Sequence, residues 1–159
     1  MAAAGDLNGD GIDDLAVGTA TDKAYVVFGS ADPAPTVKLS DIAAGRGGFK
    51  ILAESPNDRA GKSLAGVGDL NGDGIDDLLI GAPYDNAGAQ SAGAAYVVFG
   101  RTAPFGTVDL RTIASGEGGF KITGAAMSDS AGTSVAPAGD VNGDGFTDLL
   151  IGRTSWVSS

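Results

Sequence analysis

Three nine-residue segments carry side chains able to grip a hard cation. DLNGDGIDD occurs at 6–14 and again at 69–77, and DVNGDGFTD follows at 140–148. Each places oxygen-bearing side chains at its first, third, fifth and ninth positions. These are Asp6, Asn8, Asp10 and Asp14, then Asp69, Asn71, Asp73 and Asp77, then Asp140, Asn142, Asp144 and Asp148. Glycine at the sixth position (Gly11, Gly74, Gly145) permits a sharp bend, because it has no Cβ. The seventh position (Ile12, Ile75, Phe146) can then offer its main-chain carbonyl. Calcium takes roughly six to eight such oxygens at about 2.3–2.6 Å. Carboxylates this close repel one another. A divalent ion relieves that repulsion, so binding and loop ordering are coupled. The expected cofactor is Ca2+, up to three ions, held by these fifteen residues.

Three other readings of the loops compete. Asn-Gly and Asp-Gly are strong hairpin-turn dipeptides, but a turn does not require carboxylates at positions one, five and nine in every copy. An EF-hand or dockerin loop needs an acidic twelfth residue that leads into a helix. Position twelve here is Val17, Ile80 or Ile151, each in a short β-like run. Magnesium keeps more of its waters and suits a cage this rich in protein oxygen less well. At position eight the third loop has Thr147 where the others have Asp13 and Asp76. That position is expected to point outward, with the two aspartates adding outer-shell charge.

The elements that must position these loops repeat with them. VKLSDIAAGRGGFKI (37–51) aligns with VDLRTIASGEGGFKI (108–122), and AYVVFG at 24–29 recurs at 95–100. Both pairs, like Asp69 and Asp140, lie 71 residues apart. From Asp6 to Asp69 the separation is 63, because the second unit has a longer loop after Gly81. Each unit reads as four short strands between turns. In order they are A (around 62–67), B (77–81), C (94–99) and D (48–52 in the first unit), with the acidic loop joining A to B. No segment of useful length has a helical apolar period, although 39–45 could form one helical turn. Four strands per unit with recurring glycine and aromatic marks is the pattern of propeller blades. The expected fold is all-β, with four-stranded antiparallel blades forming a partial propeller. Its units are 1–54 (strands B, C and D after the end of an A), 55–124 (complete) and 125–159 (A and B), or about two and a half blades. The remaining blades are expected from the parent chain or from an oligomer, and Trp156 at a core or interface of the intact ring.

Composition narrows the function. Of 159 residues 43% are hydrophobic, enough for a packed core, and 27 are glycine. The net charge of −10, with acid concentrated in the three loops, disfavours nucleic acid, whose phosphates need clustered Lys and Arg. No run approaches the ~20 apolar residues of a membrane span, and no signal-peptide region is visible. There is no His and no Cys. Ser-His-Asp and Cys-His chemistry are therefore impossible within the chain, and zinc lacks its usual nitrogen and sulfur ligands. The obvious carboxylates sit in the ion loops, where none is set apart as a protonated acid. The expectation is a binding segment, not an enzyme.

The Asp-x-Asn-Gly-Asp-Gly loops, with a following DLLIGAP and a later YVVFG, resemble the FG-GAP repeat of integrin α-subunit β-propellers. The second unit holds both naming elements, Phe99-Gly100 and Gly81-Ala82-Pro83. The first keeps Phe28-Gly29 but reads Gly18-Thr19-Ala20, and the third reads Gly152-Arg153-Thr154. Lacking Cys, the chain is more similar to bacterial extracellular proteins with such repeats than to animal integrins. The resemblance implies metal loops on one rim and partner binding on the opposite rim, built from B–C and D–A loops. Carried onto this chain, that rim includes Tyr84, Asp85, Asn86 and Gln90 with Asn57, Asp58 and Arg59. It further implies an extracellular or cell-surface setting, structural calcium, and a protein or glycan ligand. The alternative is an accessory repeat region of a larger secreted enzyme.

Overall fold

The computed structural model describes residues 1–102 and 104–154. Its first sheet runs β1 (Ala2–Gly5), β2 (Asp14–Gly18), β3 (Lys23–Val27), β4 (Gly48–Leu52) and β8 (Val108–Asp109) in spatial order. The second runs β5 (Ser63–Gly68), β6 (Asp77–Ala82), β7 (Ala94–Val98) and β9 (Gly119–Thr123). The third pairs β10 (Ser134–Gly139) with β11 (Asp148–Gly152). Apart from β8, neighbouring strands in each sheet are antiparallel. The fold is all-β: the first two units are four-stranded propeller blades and the described part of the third is a two-stranded piece of one. The first strands of successive blades, β1, β5 and β10, pack side by side.

Burial explains the strand sequences. DLLIGA of β6 and AAYVV of β7 are buried at every position, because blades cover both faces of the middle sheet. Leu78, Ile80, Ala82, Ala94, Tyr96 and Val98 meet Ala16, Ala24, Val26, Phe49 and Ile51 of the first blade. The alternate residues Leu79, Ala95 and Val97 meet Val135, Leu149 and Ile151 of the third. Period-two alternation thus sends successive side chains to different neighbours. The outward faces are wet, with Leu15 41% and Leu150 61% exposed.

Two features depart from the sequence reading and one agrees with it. The first unit begins with a four-residue strand A, three of whose residues are paired (Ala2, Ala3 and Gly5 with Ala16, Leu15 and Asp14), so all four strands are present. The turn expected at 39–45 is α1 (Leu39–Ala43), and its repeat partner forms α2 (Leu110–Ala114). The Asp109 side chain caps α2 by accepting from Arg111 N–H at 3.0 Å. Finally, β8 belongs to the second unit by sequence but pairs in parallel with β4 of the first, Ile51 opposite Val108. Just before it, Phe105 stacks on Phe49 with ring centroids 4.1 Å apart. Residues 105–109 are therefore a strap laid back across the preceding blade. The sequence reading places no strand there, because two residues carry no period. Trp156 lies outside the described residues.

Candidate metal loops and the opposite rim

The three A–B loops share one hydrogen-bonding plan. In the first, the Asp6 carboxylate accepts from the N–H groups of Gly9 (2.8 Å), Asp10 (3.0 Å) and Gly11 (2.7 Å). Asn8 Oδ1 accepts from Asp10 N–H, and Asp10 Oδ1 accepts from Ile12 N–H. Asn8 Nδ2 donates to Asp10 Oδ2 at 3.0 Å. Asp69, Asn71 and Asp73 repeat every one of these bonds, and so do Asp140, Asn142 and Asp144. The side chains at positions one, three and five all fold inward onto the loop's own backbone. The glycines that make this possible hold left-handed conformations, Gly11 at φ 86° and Gly74 at φ 87°.

The ninth-position aspartates of the first two loops are buried beneath them. Asp14 is 3% exposed and Asp77 is fully buried. Asp14 accepts from Leu7 N–H (3.1 Å) and Gly29 N–H (2.8 Å), and Asp77 accepts from Leu70 N–H (2.9 Å) and Gly100 N–H (2.9 Å). The Phe-Gly element of each of these units thus caps the last carboxylate of its own acidic loop. Burial pushes the Asp14 carboxyl up to about 6; the two N–H bonds hold it back, and the charges of Asp10 and Asp6 push it further. Asp77 is raised for the same reasons, burial first and the charges of Asp73 and Asp69 after it. In the more open third loop, the N–H groups of Gly145, Gly143 and Asp144 hold Asp140 below the usual carboxylate range.

The donor set fits calcium in kind. Each loop turns two carboxylates and one amide oxygen inward. In the first two loops a buried carboxylate lies beneath them, its charge poorly compensated. Among the described residues no three His, Cys, Asp or Glu side chains are gathered closely enough to hold a metal ion.

The opposite rim carries the expected partner residues, in two kinds. Tyr84 in the β6–β7 connection and Arg59 in the β4–β5 connection are exposed, and the guanidinium lies 4.5 Å from the ring centroid. Tyr84 N–H donates to the Asp58 carbonyl at 3.1 Å, joining the two connections. Asn57 and Arg59 have positive φ (70° and 55°), and both of their N–H groups are held by the Asp22 carboxylate at 2.8 and 2.7 Å. Asn86 and Gln90 lie in the same connection as Tyr84; Asn86 is exposed, and its Oδ1 accepts from Ser91 N–H. Asp58 and Asp85, by contrast, are each 2% exposed and point inward. The expectation that these two face a partner is corrected: both carboxylates are engaged within the chain.

Asp85 belongs to a polar cluster that sequence reasoning missed. Its Oδ2 accepts from the Tyr96 hydroxyl (2.7 Å) and Lys121 Nζ (2.9 Å). Glu54 Oε2 lies 2.6 Å from each of the same two groups: it accepts from Lys121 Nζ and shares the single Tyr96 hydroxyl proton with Asp85. Burial works against the Asp85 charge, but Lys121, the Ala87 N–H and Tyr96 outweigh it and hold the carboxyl low. Among the described residues the Asp58 side chain accepts only from Ser55 N–H at 2.8 Å, and Lys121 helps it only through its charge. Burial first, and then the charges of Asp85 and Glu54, push it up to about 6. A lysine inside the GFKI strand, in register with a tyrosine on its neighbour, was the available signal for this cluster.

The pattern of the FG-GAP repeat family matches residues 2–29, 60–98 and 131–157. Over 152 residues, 92% of this chain, the sequence is 32% identical to integrin alpha-V of Gallus gallus, of which it covers 14%. It is 31% identical to integrin alpha-PS5 of Drosophila melanogaster over 166 residues, again 92% of this chain and 14% of that protein. Over 101 residues, 64% of this chain, it is 32% identical to integrin alpha-2 of Mus musculus and covers 8% of it. The chain thus spans well under a fifth of the length of these relatives.

Proposed function

Because the chain belongs to the FG-GAP repeat family, we propose that it is a calcium-stabilised propeller segment that binds a protein or glycan ligand. One observation carries the metal assignment: three loops close by the same set of side-chain to backbone hydrogen bonds, with positions one, three and five turned inward in each. Asp6, Asn8, Asp10, Asp14 and the Ile12 carbonyl would hold the first ion, and the equivalent residues of 69–77 and 140–148 the others. Calcium would supply charge compensation and loop rigidity; no chemistry at a substrate is required of it. The family membership and the integrin relatives support an extracellular or cell-surface setting, where millimolar calcium would fill sites of modest affinity. Among the described residues no helix is long and apolar enough to cross a membrane.

The ligand would bind on the rim away from the acidic loops. There Tyr84 and Arg59 form an exposed cation–π pair on a backbone pinned by Asp22. Aromatic and arginine side chains on a rigid support are the usual anchors of an interface. Calcium uptake is tested by calorimetric titration of the chelated chain, with three ions per chain expected. Ligand binding is tested by a glycan array and by capture of extracellular-matrix proteins, comparing the wild type with Tyr84→Ala and Arg59→Glu. Binding that survives both changes would remove this rim from consideration.

A further inference from the structure

Position eight of the second acidic loop is half-buried and faces the first loop. Asp76 Oδ2 accepts from the backbone N–H of Asp6 at 2.9 Å, and Asp76 N–H donates to the Asp6 carbonyl at 3.3 Å. Asp6 is the first donor residue of the neighbouring loop, 70 positions earlier. The fit is close: a Cβ on Gly5 would overlap the Asp76 carboxylate. One residue beyond the Phe-Gly pair of the second unit, Arg101 N–H donates to the Leu7 carbonyl at 3.0 Å. The first loop is thus fastened to the second unit on both sides of its first ligand position.

The junction between the second and third loops lacks this clasp. Thr147 stands where Asp76 would be, and among the described residues no hydrogen bond joins it to Asp69. A Cβ on Gly68 would find Thr147 Oγ1 3.9 Å away, where the equivalent Gly5 would overlap Asp76. The apolar contact is common to both junctions. Ile75 packs over Gly9 as Phe146 packs over Gly72, with side-chain atoms 3.5 Å and 3.4 Å from where a Cβ would stand. Among the described residues the junctions differ at position eight and in the contacts of Arg101 with Leu7 and Thr102 with Gly9, which only the first junction has.

We propose that Asp76 is a coupling residue, linking ion binding at 69–77 to ion binding at 6–14, whereas the loop at 140–148 binds on its own. The proposal rests on the calcium reading above. Ordering the second loop fixes the Asp76 backbone and carboxylate, and these fix the main chain that carries the Asp6 donor. Linkage makes the effect reciprocal, so filling the first loop strengthens the second by the same factor. The Asp76 carboxylate is occupied by a neighbour's N–H, so its role is transmission and not coordination.

The test is calorimetric calcium titration of the intact chain carrying Asp144→Ala, which silences the third loop. Adding Asp73→Ala leaves only the first loop, whose affinity is expected to fall at least about fivefold, the lower end of typical coupling. With Asp76→Thr also present, Asp73→Ala should cost the first loop nothing further. The reverse substitution is a second, independent arm. Thr147→Asp in the otherwise unchanged chain should bring the third loop into the linked set, so that Asp144→Ala now weakens the second loop. Thermal melts of each variant verify folding, and the Thr147→Asp arm stands even if Asp76→Thr does not fold. First-loop affinity that is the same with and without Asp73→Ala, alongside normal uptake, overturns the coupling alone. No uptake by the wild-type chain overturns the calcium reading itself.

Discussion

The backbone N–H of Gly100 ends 2.9 Å from the fully buried carboxylate of Asp77. That bond links the two most recognisable parts of the repeat, the Phe-Gly pair and the acidic loop, within one blade. It also explains the glycine. A Cβ on Gly100 would overlap the Asp76 carbonyl oxygen and stand 3.0 Å from the Leu7 carbonyl, both of them backbone.

Gly100→Ala is accordingly expected to cost about 2–3 kcal/mol, because rigid main chain must move to admit one methyl group. Gly106→Ala is the matched control, since a methyl group there would meet nothing within 4 Å. Urea unfolding of the two variants beside the wild type gives the comparison. Equal stabilities would remove steric exclusion as the reason for this glycine.

Removal of divalent cation should lower the melting temperature by several degrees. A site with a Kd near ~10 μM contributes about 2.7 kcal/mol at ~1 mM free calcium. Differential scanning calorimetry in excess EDTA and in excess calcium measures the shift. Asp73→Ala should reduce the ion count from three to two. A melt insensitive to EDTA would count directly against structural calcium.

The carboxyl of Asp58 supplies a pH dependence of known sign. Its value is raised to about 6 from 3.8, so the folded chain holds this proton more tightly than the unfolded chain does. Its contribution is fully present below pH ~4 and is lost as pH rises through about 6. Asp58→Asn removes that loss, so its stability relative to the wild type should increase from pH ~4 to pH ~7 by on the order of 2 kcal/mol. Denaturant titrations at these two pH values test it. A difference independent of pH would mean that folding leaves the proton affinity of Asp58 unchanged.

Lys121 is the cation shared by Glu54 and Asp85, with its side chain 8% exposed. Lys121→Met leaves two carboxylates facing each other beside the Tyr96 hydroxyl. A loss of about 3 kcal/mol is expected, as for other broken buried pairs. Adding Glu54→Gln and Asp85→Asn should recover most of it. If the triple variant is no more stable than Lys121→Met, the defect is one of packing and not of charge.

The repeat spacing makes the acidic loops, the four-strand units and the helical turn at 39–45 legible in advance, because each is local and occurs more than once. The strap is not legible. Ile51 and Val108, which it brings together, are far apart in the chain, and a two-residue parallel strand has no periodicity to detect. The inward turn of Asp58 and Asp85 is hidden for a related reason. Both sit in loops rich in polar residues, and only the packing of one blade on the next decides which of those residues are covered. Asp76 reads as outward-facing charge because its partner is the backbone of a different repeat, which no side-chain pattern records.

The strap also governs how the chain comes apart. Phe105 is stacked on Phe49, and Val108 is paired into the sheet of the blade before its own. The second blade cannot be pulled away without first stripping a strand from the first. Under load, the two should yield together in one large step instead of opening like beads on a string.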